Sequence, residues 1–258
     1  MTRSRTRKPV KFGTVSGQVM ALYLDSHTPE YPIEDNKKQM IWDMATAINR
    51  ELRELVASGS SVIQIEEPTI HFIACYYPDA KDTLNFLTDA LNHVGTGKCG
   101  SLDSHLLGQP HDAALFDKTS YADALDIYLN RINCDVLTRG MKDRGMAELE
   151  LLGNWKGKTK RKFALGVVSH RTLNADTPTE VANEVRKALK YVDIENLLLA
   201  SDCGYGRQGA NRMVAFYKTA ATAQGANIIR REYGLPDTYV PCADTRQSQD
   251  LVPQGFED

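Results

Sequence analysis

Short apolar segments alternate along this chain with longer segments of helical periodicity, and this alternation constrains the fold more than any other feature. Each apolar segment has the length of a buried strand, and each following segment repeats its apolar residues at the spacing of one helix face. The predicted strands cover residues 10–15, 62–65, 135–138, 163–168 and 197–200, and the predicted helices cover 35–57, 81–91, 121–131, 177–192 and 208–225. Repeated strand–helix units of this kind indicate an α/β fold with a parallel sheet.

The predicted strand–helix units are fewer than a closed α/β barrel contains. Between residues 94 and 116, glycine, proline and polar residues follow one another without period, although the alternation requires a strand there. With that strand included, the chain has about six units, whereas a closed barrel has eight. We therefore expect an incomplete α/β barrel over residues 1–236 and a polar tail over residues 237–258.

Composition excludes several classes of protein. The formal net charge of the 258 residues is −2, which gives no reason to expect nucleic acid or an anionic membrane as a partner. A basic segment at residues 156–162 is interpreted as a solvated loop. The chain has no apolar run long enough for a membrane span, and its basic N-terminus leads into no apolar segment of a secretory signal. The five cysteines are odd in number and form no C-x-x-C pair, which favours a reducing, cytoplasmic compartment.

The segment Ser-Asp-Cys-Gly-Tyr-Gly at residues 201–206 is the strongest indication of chemistry. It follows the predicted strand 197–200, so Cys203 lies where a buried strand opens into a glycine-rich loop. In α/β barrels the carboxyl ends of the strands carry the active site. Cys203 is therefore a candidate metal ligand or reactive thiol. The alternative is a buried structural cysteine, a common location for a free thiol.

Three segments at successive predicted strand ends carry a resemblance to a known family. They are V-I-Q-I-E-E-P at residues 62–68, F-A-L-G-V-V-S-H-R-T at 163–172, and S-D-C-G at 201–204 followed by R-Q-G at 207–209. In this order they resemble the cobalamin-independent methionine synthase family in its short, single-barrel form, within the zinc methyltransferase barrel superfamily. The resemblance implies a (β/α)8 barrel of the TIM-barrel type, of which this chain would lack the first two strand–helix units. It also implies that zinc activates homocysteine, which takes a methyl group from methyltetrahydrofolate.

The resemblance implies roles for four residues. Cys203 matches the last zinc-binding cysteine of the family. Glu66 matches the acidic residue that binds the amino group of homocysteine, and Glu67 beside it is expected to shape the substrate-binding loop or to pair with a nearby base. His170 lies one position away from a histidine that helps to protonate the folate leaving group, and a hydrogen-bonded structural histidine is the alternative.

Two parts of the family's zinc site have no counterpart in this sequence. An H-x-C-G motif is expected in the aperiodic stretch, and a glutamate is expected at the position of Gly140. Codons can be chosen for residues 101–112 and 138–141 that restore both features when read one base out of frame, so compensating frame errors are one hypothesis and true divergence is the other. Cys99, His105 and His111 are the candidate replacement ligands, but their spacing matches no metal motif.

We therefore expect a zinc-dependent S-methyltransferase with homocysteine and methyltetrahydrofolate as substrates. The alternatives are a zinc alkyl transferase that acts on another small thiol, and an inactive remnant that has lost its zinc site. An incomplete barrel exposes two sheet edges, and exposed edges promote association. We therefore expect the chain to form homo-oligomers or to be poorly soluble.

Overall fold

The computed structural model describes residues 9–24, 28–32, 37–96, 102–104, 122–206 and 209–243. These residues divide into two compact units. The first unit takes residues 1–139 and 160–163, and the second takes residues 140–159 and 164–258, each as far as it is described.

In the first unit, parallel strands alternate with helices in chain order. It contains β1 (Lys11–Val15), α1 (Gly17–Leu22), α2 (Lys38–Ala57), β2 (Val62–Glu66), α3 (Thr69–Tyr76), α4 (Lys81–Val94), β3 (Leu102–Ser104), α5 (Ala122–Asn130) and β4 (Val136–Arg139). β1 pairs with β2 in parallel, with Lys11 opposite Val62 and Val15 opposite Glu66. β3 pairs in parallel with both β2 and β4. The carboxyl ends of β1 and β2 therefore lie side by side.

The second unit continues the same alternation. It contains α6 (Leu149–Gly153), residues 164–168 of β5 (Lys162–Val168), α7 (Pro178–Ala188), β6 (Leu197–Ser201) and α8 (Arg212–Glu232). A capping box at Thr177 and Glu180, with Pro178 in the first turn, begins α7. The side chain of Asn211 caps α8 by accepting a hydrogen bond from the Val214 N–H at 3.0 Å.

Close packing of α7 against α8 depends on Gly225. A Cβ atom at this position would lie 2.5 Å from Cγ1 of Val181 and 2.9 Å from the Pro178 carbonyl oxygen. Because a side chain cannot occupy that space, the glycine allows the two helices to approach each other.

The strand predictions are confirmed to within one residue at each end. The strand required in the aperiodic stretch is also present, as the three-residue β3. Helix α8 is longer than predicted at its C-terminal end, reaching Glu232, because apolar periodicity continues through Ile228 and Ile229. The parallel α/β architecture is therefore as expected. A closed barrel is not observed in the described part of the chain, and Cys99, His105, His111, Arg207 and Gln208 lie outside it.

The described helices fall short of what a lipid bilayer requires. None of them combines the length and the apolar character needed to cross a membrane.

Candidate active site

The Asp202 carboxylate, just after β6, organises the centre of the second unit. Its Oδ1 atom accepts hydrogen bonds from the backbone N–H groups of Met141 and Lys142 at 2.7 and 2.9 Å. Its Oδ2 atom accepts one from the backbone N–H of Asp143 at 2.5 Å. The backbone N–H of Asp202 donates to the Val168 carbonyl at the end of β5, at 3.0 Å. One buried side chain thus fixes the turn at residues 141–143 relative to β5 and β6.

Two glycines make room for this carboxylate. A Cβ atom at Gly166 in β5 would lie 2.0 Å from Oδ1 of Asp202, and one at Gly140 would lie 3.2 Å from the Asp202 carbonyl oxygen. Burial raises the pKa of the Asp202 carboxyl from 3.8 to about 7, although the three backbone N–H donors favour its charged form. The neighbouring Asp143 carboxyl adds to the increase.

His170, just after β5, faces the Asp143 carboxylate. Its Nδ1 atom lies 3.0 Å from Oδ2 of Asp143, and the two side chains are only 7% and 9% exposed. The hydroxyl of Ser169 accepts hydrogen bonds from the backbone N–H groups of Arg171 and Thr172 at 3.0 and 3.3 Å, which fixes the chain after the histidine. One ligand atom each of Asp143, His170 and Asp202 lies within 4.8 Å of the others. We refer to these three residues as the Asp-His-Asp cluster.

A buried ion-pair network holds the loop that follows His170. Lys218 of α8 is fully buried, and its ammonium group donates to the Asn174 carbonyl at 2.6 Å and to the Asp176 carboxylate at 3.1 Å. The Lys142 ammonium lies 3.7 Å from Asp176 and 2.9 Å from the Glu184 carboxylate. Lys142 immediately precedes Asp143, so the network connects the loop after β5 to the turn that carries part of the cluster.

In the first unit, Glu67 is a fully buried carboxylate at the carboxyl end of β2. It accepts hydrogen bonds from the Ser16 hydroxyl and from the backbone N–H groups of Thr69 and Ile70 at 2.6 and 3.0 Å. Burial raises its pKa from 4.5 to about 7, although these donors favour the charged form. Tyr128 donates its hydroxyl to the Glu67 carbonyl oxygen at 3.0 Å. Glu67 thus ties the end of β2 to the beginnings of α1 and α3.

The other sequence-predicted residues differ in exposure. Glu66 is exposed at the end of β2, and its carbonyl oxygen accepts a hydrogen bond from the Ser16 N–H at 3.1 Å. His170 is buried within the cluster, whereas Cys203 is half-buried in the loop after β6. The structure thus places Glu66 and Glu67 in the first unit, and His170 and Cys203 in the second.

The zinc site implied by the resemblance requires thiolate, imidazole and carboxylate donors around one point. Among the described residues, Cys203 belongs to no group of three or more His, Cys, Asp or Glu side chains that could share an ion. The group that does form consists of two carboxylates and one imidazole and contains no thiolate. In addition, the Asp202 carboxylate already accepts three hydrogen bonds. The described donors therefore do not fit a thiolate zinc site.

The sequence does not point to Asp143, Asp202 and Lys218 as residues of the candidate site. Asp202 enters the sequence pattern only as the neighbour of Cys203, although a carboxylate directly after a buried strand is itself a signal. Asp143 lies three residues beyond the expected glutamate position, where no motif points to it. Lys218 occupies a helix position at which only the tertiary structure shows that its ammonium group is buried.

Strand–helix units with polar side chains collected just after β5 and β6 define this chain as an α/β-barrel type of protein. The sequence model described as "Cobalamin-independent synthase, Catalytic domain" matches residues 1–225. The chain belongs to that family.

Curated relatives agree with this assignment. A methionine synthase of Saccharolobus solfataricus is 29% identical over 199 residues, which cover 76% of this chain and 53% of the relative. One from Sulfurisphaera tokodaii is 27% identical over 197 residues, with 76% and 51% covered. The chain thus spans about half the length of the curated relatives it matches.

Solved structures show the same fold. A B12-independent methionine synthase from a Shewanella species, in complex with selenomethionine, superposes with a TM-score of 0.72 at 25% identity and covers 90% of this chain and 65% of that one. A putative vitamin-B12-independent methionine synthase from Listeria monocytogenes gives a TM-score of 0.59 at 13% identity, with 86% and 65% covered. At that identity the second likeness concerns the fold alone.

Proposed function

We propose that this chain is the catalytic part of a methionine-synthase-type S-methyltransferase, which transfers a methyl group from a methyltetrahydropteroylglutamate to homocysteine or a similar small thiol. Family membership over residues 1–225 supports the reaction class. The observation that carries the proposal is the buried Asp143–His170 pair, at 3.0 Å, just after β5. A reaction that exchanges protons needs such a positioned group.

The reaction requires two proton movements. The thiol releases its proton to solvent, and its sulfur forms a bond to the methyl carbon as the carbon–nitrogen bond of the methyl donor breaks. The donor nitrogen gains a proton. His170 supplies the proton to the leaving nitrogen. Asp143 positions it, because its carboxylate lies 3.0 Å from Nδ1 and attracts that side of the ring when the ring is protonated.

The proposed substrate-binding residue is Glu66, at the end of β2. The exposed Glu66 carboxylate is suited to bind the ammonium group of an amino-acid substrate, since the two groups carry opposite charges. Glu67, whose carboxylate is occupied by three hydrogen bonds, holds the backbone beside it. The described donors form no thiolate zinc site, and the roles given above belong to the chain's own side chains. Cys203 remains the chain's one match to the family's zinc ligands.

The isolated position of Cys203 favours a second candidate function. A chain that has lost its zinc ligands but keeps its amino-acid site would bind homocysteine or methionine without turnover. Metal content separates the two candidates, because about one zinc per chain supports the enzyme and its absence supports the remnant.

The test is methionine formation by the full chain from homocysteine and a 5-methyltetrahydropteroylglutamate, followed by mass spectrometry. We expect His170→Asn to lower kcat by about 100-fold or more, which is the usual effect of losing a general acid. Asp143→Asn should lower kcat less and shift the pH profile. Arg186→Ala, a change to an exposed pair with Glu232, is the control and should leave turnover unchanged. Binding of methionine by a wild-type chain that forms no product and holds no zinc would instead support the remnant.

A further inference from the structure

Arg171 carries a buried hydrogen-bonding edge that no described residue satisfies. Its Nε and Nη2 atoms are both buried, and neither has a hydrogen-bond partner in the described part of the chain. These two atoms form one side of the planar guanidinium group, and their N–H bonds are nearly parallel. Arg171 follows His170 directly, in the loop after β5.

The carboxylates already described in the second unit lie against groups other than Arg171. Asp143 faces His170, Asp202 accepts three backbone N–H groups, and Asp176 pairs with the buried Lys218. No ion pair joins Arg171 to an acidic residue in the described part of the chain. The position of Arg171 is nevertheless fixed, since its backbone N–H donates to the Ser169 hydroxyl at 3.0 Å.

Buried donor atoms of a charged group are costly to leave unpaired, and native structures rarely keep them so without a reason. The parallel N–H bonds of Nε and Nη2 match the two oxygens of a carboxylate, and this two-point pairing is a strong form of ionic recognition. A lysine at this position would supply the charge but not the planar fork.

We propose that Arg171 binds the carboxylate group of a small-molecule substrate through Nε and Nη2. The inference rests on the proposed function for the identity of the substrate. Two carboxylates are available in that reaction, the α-carboxylate of the amino acid and the glutamate carboxylate of the methyl donor. Both present the same chemistry to the guanidinium edge, so the experiment distinguishes them.

Calorimetric titration of the full chain uses two matched probe pairs. L-Methionine is compared with 3-(methylthio)propylamine, which lacks only the carboxylate, and 5-methyltetrahydropteroylglutamate is compared with a 5-methyltetrahydropterin that has no glutamate. Each is titrated into wild type, Arg171→Lys and Arg171→Met, with Arg186→Met as the control at an exposed arginine. We expect both Arg171 variants to weaken one carboxylate-bearing probe by at least about 30-fold, the usual effect of truncating a buried charge pair. Binding of its carboxylate-free analogue should not change.

A second measurement needs no ligand. The unsatisfied edge of Arg171 destabilises the ligand-free fold, so Arg171→Met should keep or raise the thermal midpoint of the free protein. The carboxylate probe should raise the midpoint of wild type more than that of the variant. A lower midpoint for the ligand-free variant overturns the proposal, as does equal binding by all variants or no binding of either carboxylate by wild type.

The two proposals can fail separately. If binding depends on Arg171 but no methionine forms, the proposed reaction fails and the carboxylate site stands. If methionine forms with an unchanged KM in both Arg171 variants, the carboxylate site fails and the reaction stands.

Discussion

Gly166→Ala tests the central structural claim, that the Asp202 carboxylate organises the second unit. The new methyl group would lie 2.0 Å from Oδ1 and 2.9 Å from Cα of Asp202, so the carboxylate must move by more than an ångström. Overpacking of this kind costs about 1–3 kcal/mol. Loss of one charge-assisted hydrogen bond from a backbone N–H adds about 1.5–3 kcal/mol. We expect the free energy of unfolding to fall by about 3–5 kcal/mol, a large part of the about 5–15 kcal/mol that stabilises a typical protein.

The assay is urea unfolding followed by far-ultraviolet circular dichroism, with thermal unfolding as a second readout. At about 2–4 °C per kcal/mol, the melting temperature should drop by roughly 6 °C or more. Gly13→Ala is the matched control, because Gly13 also lies in a strand and a Cβ atom there would meet nothing within 4 Å. A loss of less than about 1 kcal/mol for Gly166→Ala, or equal losses for the two variants, would refute the role of Asp202.

Two further predictions concern buried charge. Burial raises the pKa of Glu67 from 4.5 to about 7, so the fold favours the protonated form and this contribution is lost as pH rises toward 7. The free energy of unfolding should therefore fall by roughly 2–3 kcal/mol between pH 5 and pH 8, and Glu67→Gln should flatten the profile without removing the part due to Asp202. Lys218→Ala removes a fully buried ammonium 3.1 Å from the Asp176 carboxylate, leaves that carboxylate only the Lys142 ammonium at 3.7 Å, and should cost about 3–5 kcal/mol in urea unfolding. Arg186→Ala, which breaks an exposed pair, should leave the unfolding midpoint unchanged, and equal effects of the two changes would contradict the network.

The alternation of strands and helices could be predicted from sequence because its signal is local. β5, for example, is an uninterrupted apolar run in which every residue after Lys162 is buried. The three residues of β3 could be placed only by the requirement for a strand, since L-D-S has no strand pattern of its own. The additional helix α1 was missed because its six residues hold too little periodicity, although Ser16 caps it.

The candidate site was less predictable because its contacts join distant parts of the chain. The Asp202 carboxylate and its backbone donors are 59 to 61 residues apart, and Lys218 lies 42 residues from Asp176. Family resemblance identified His170 but not its partner, since Asp143 lies in a segment that departs from the family pattern. Glu67 shows that burial also decides what a residue matched to the family can do. Three hydrogen-bond donors occupy its carboxylate, and nothing in its local sequence indicates this.

The D-C-G motif at residues 202–204 serves folding through Asp202 and matches a family metal ligand at Cys203. Substitutions at these two adjacent residues separate the two roles. Asp202→Asn replaces one acceptor oxygen by an NH2 group that faces backbone donors, so it should lower the free energy of unfolding by about 1–3 kcal/mol. Cys203→Ser alters a half-buried side chain outside the Asp-His-Asp cluster and should leave that free energy within about 0.5 kcal/mol of wild type. If Cys203→Ser instead removes bound zinc and destabilises the chain as strongly as Asp202→Asn, the thiol is part of a metal site that the described residues do not complete. The D-C-G motif would then contribute to metal binding as well as to folding.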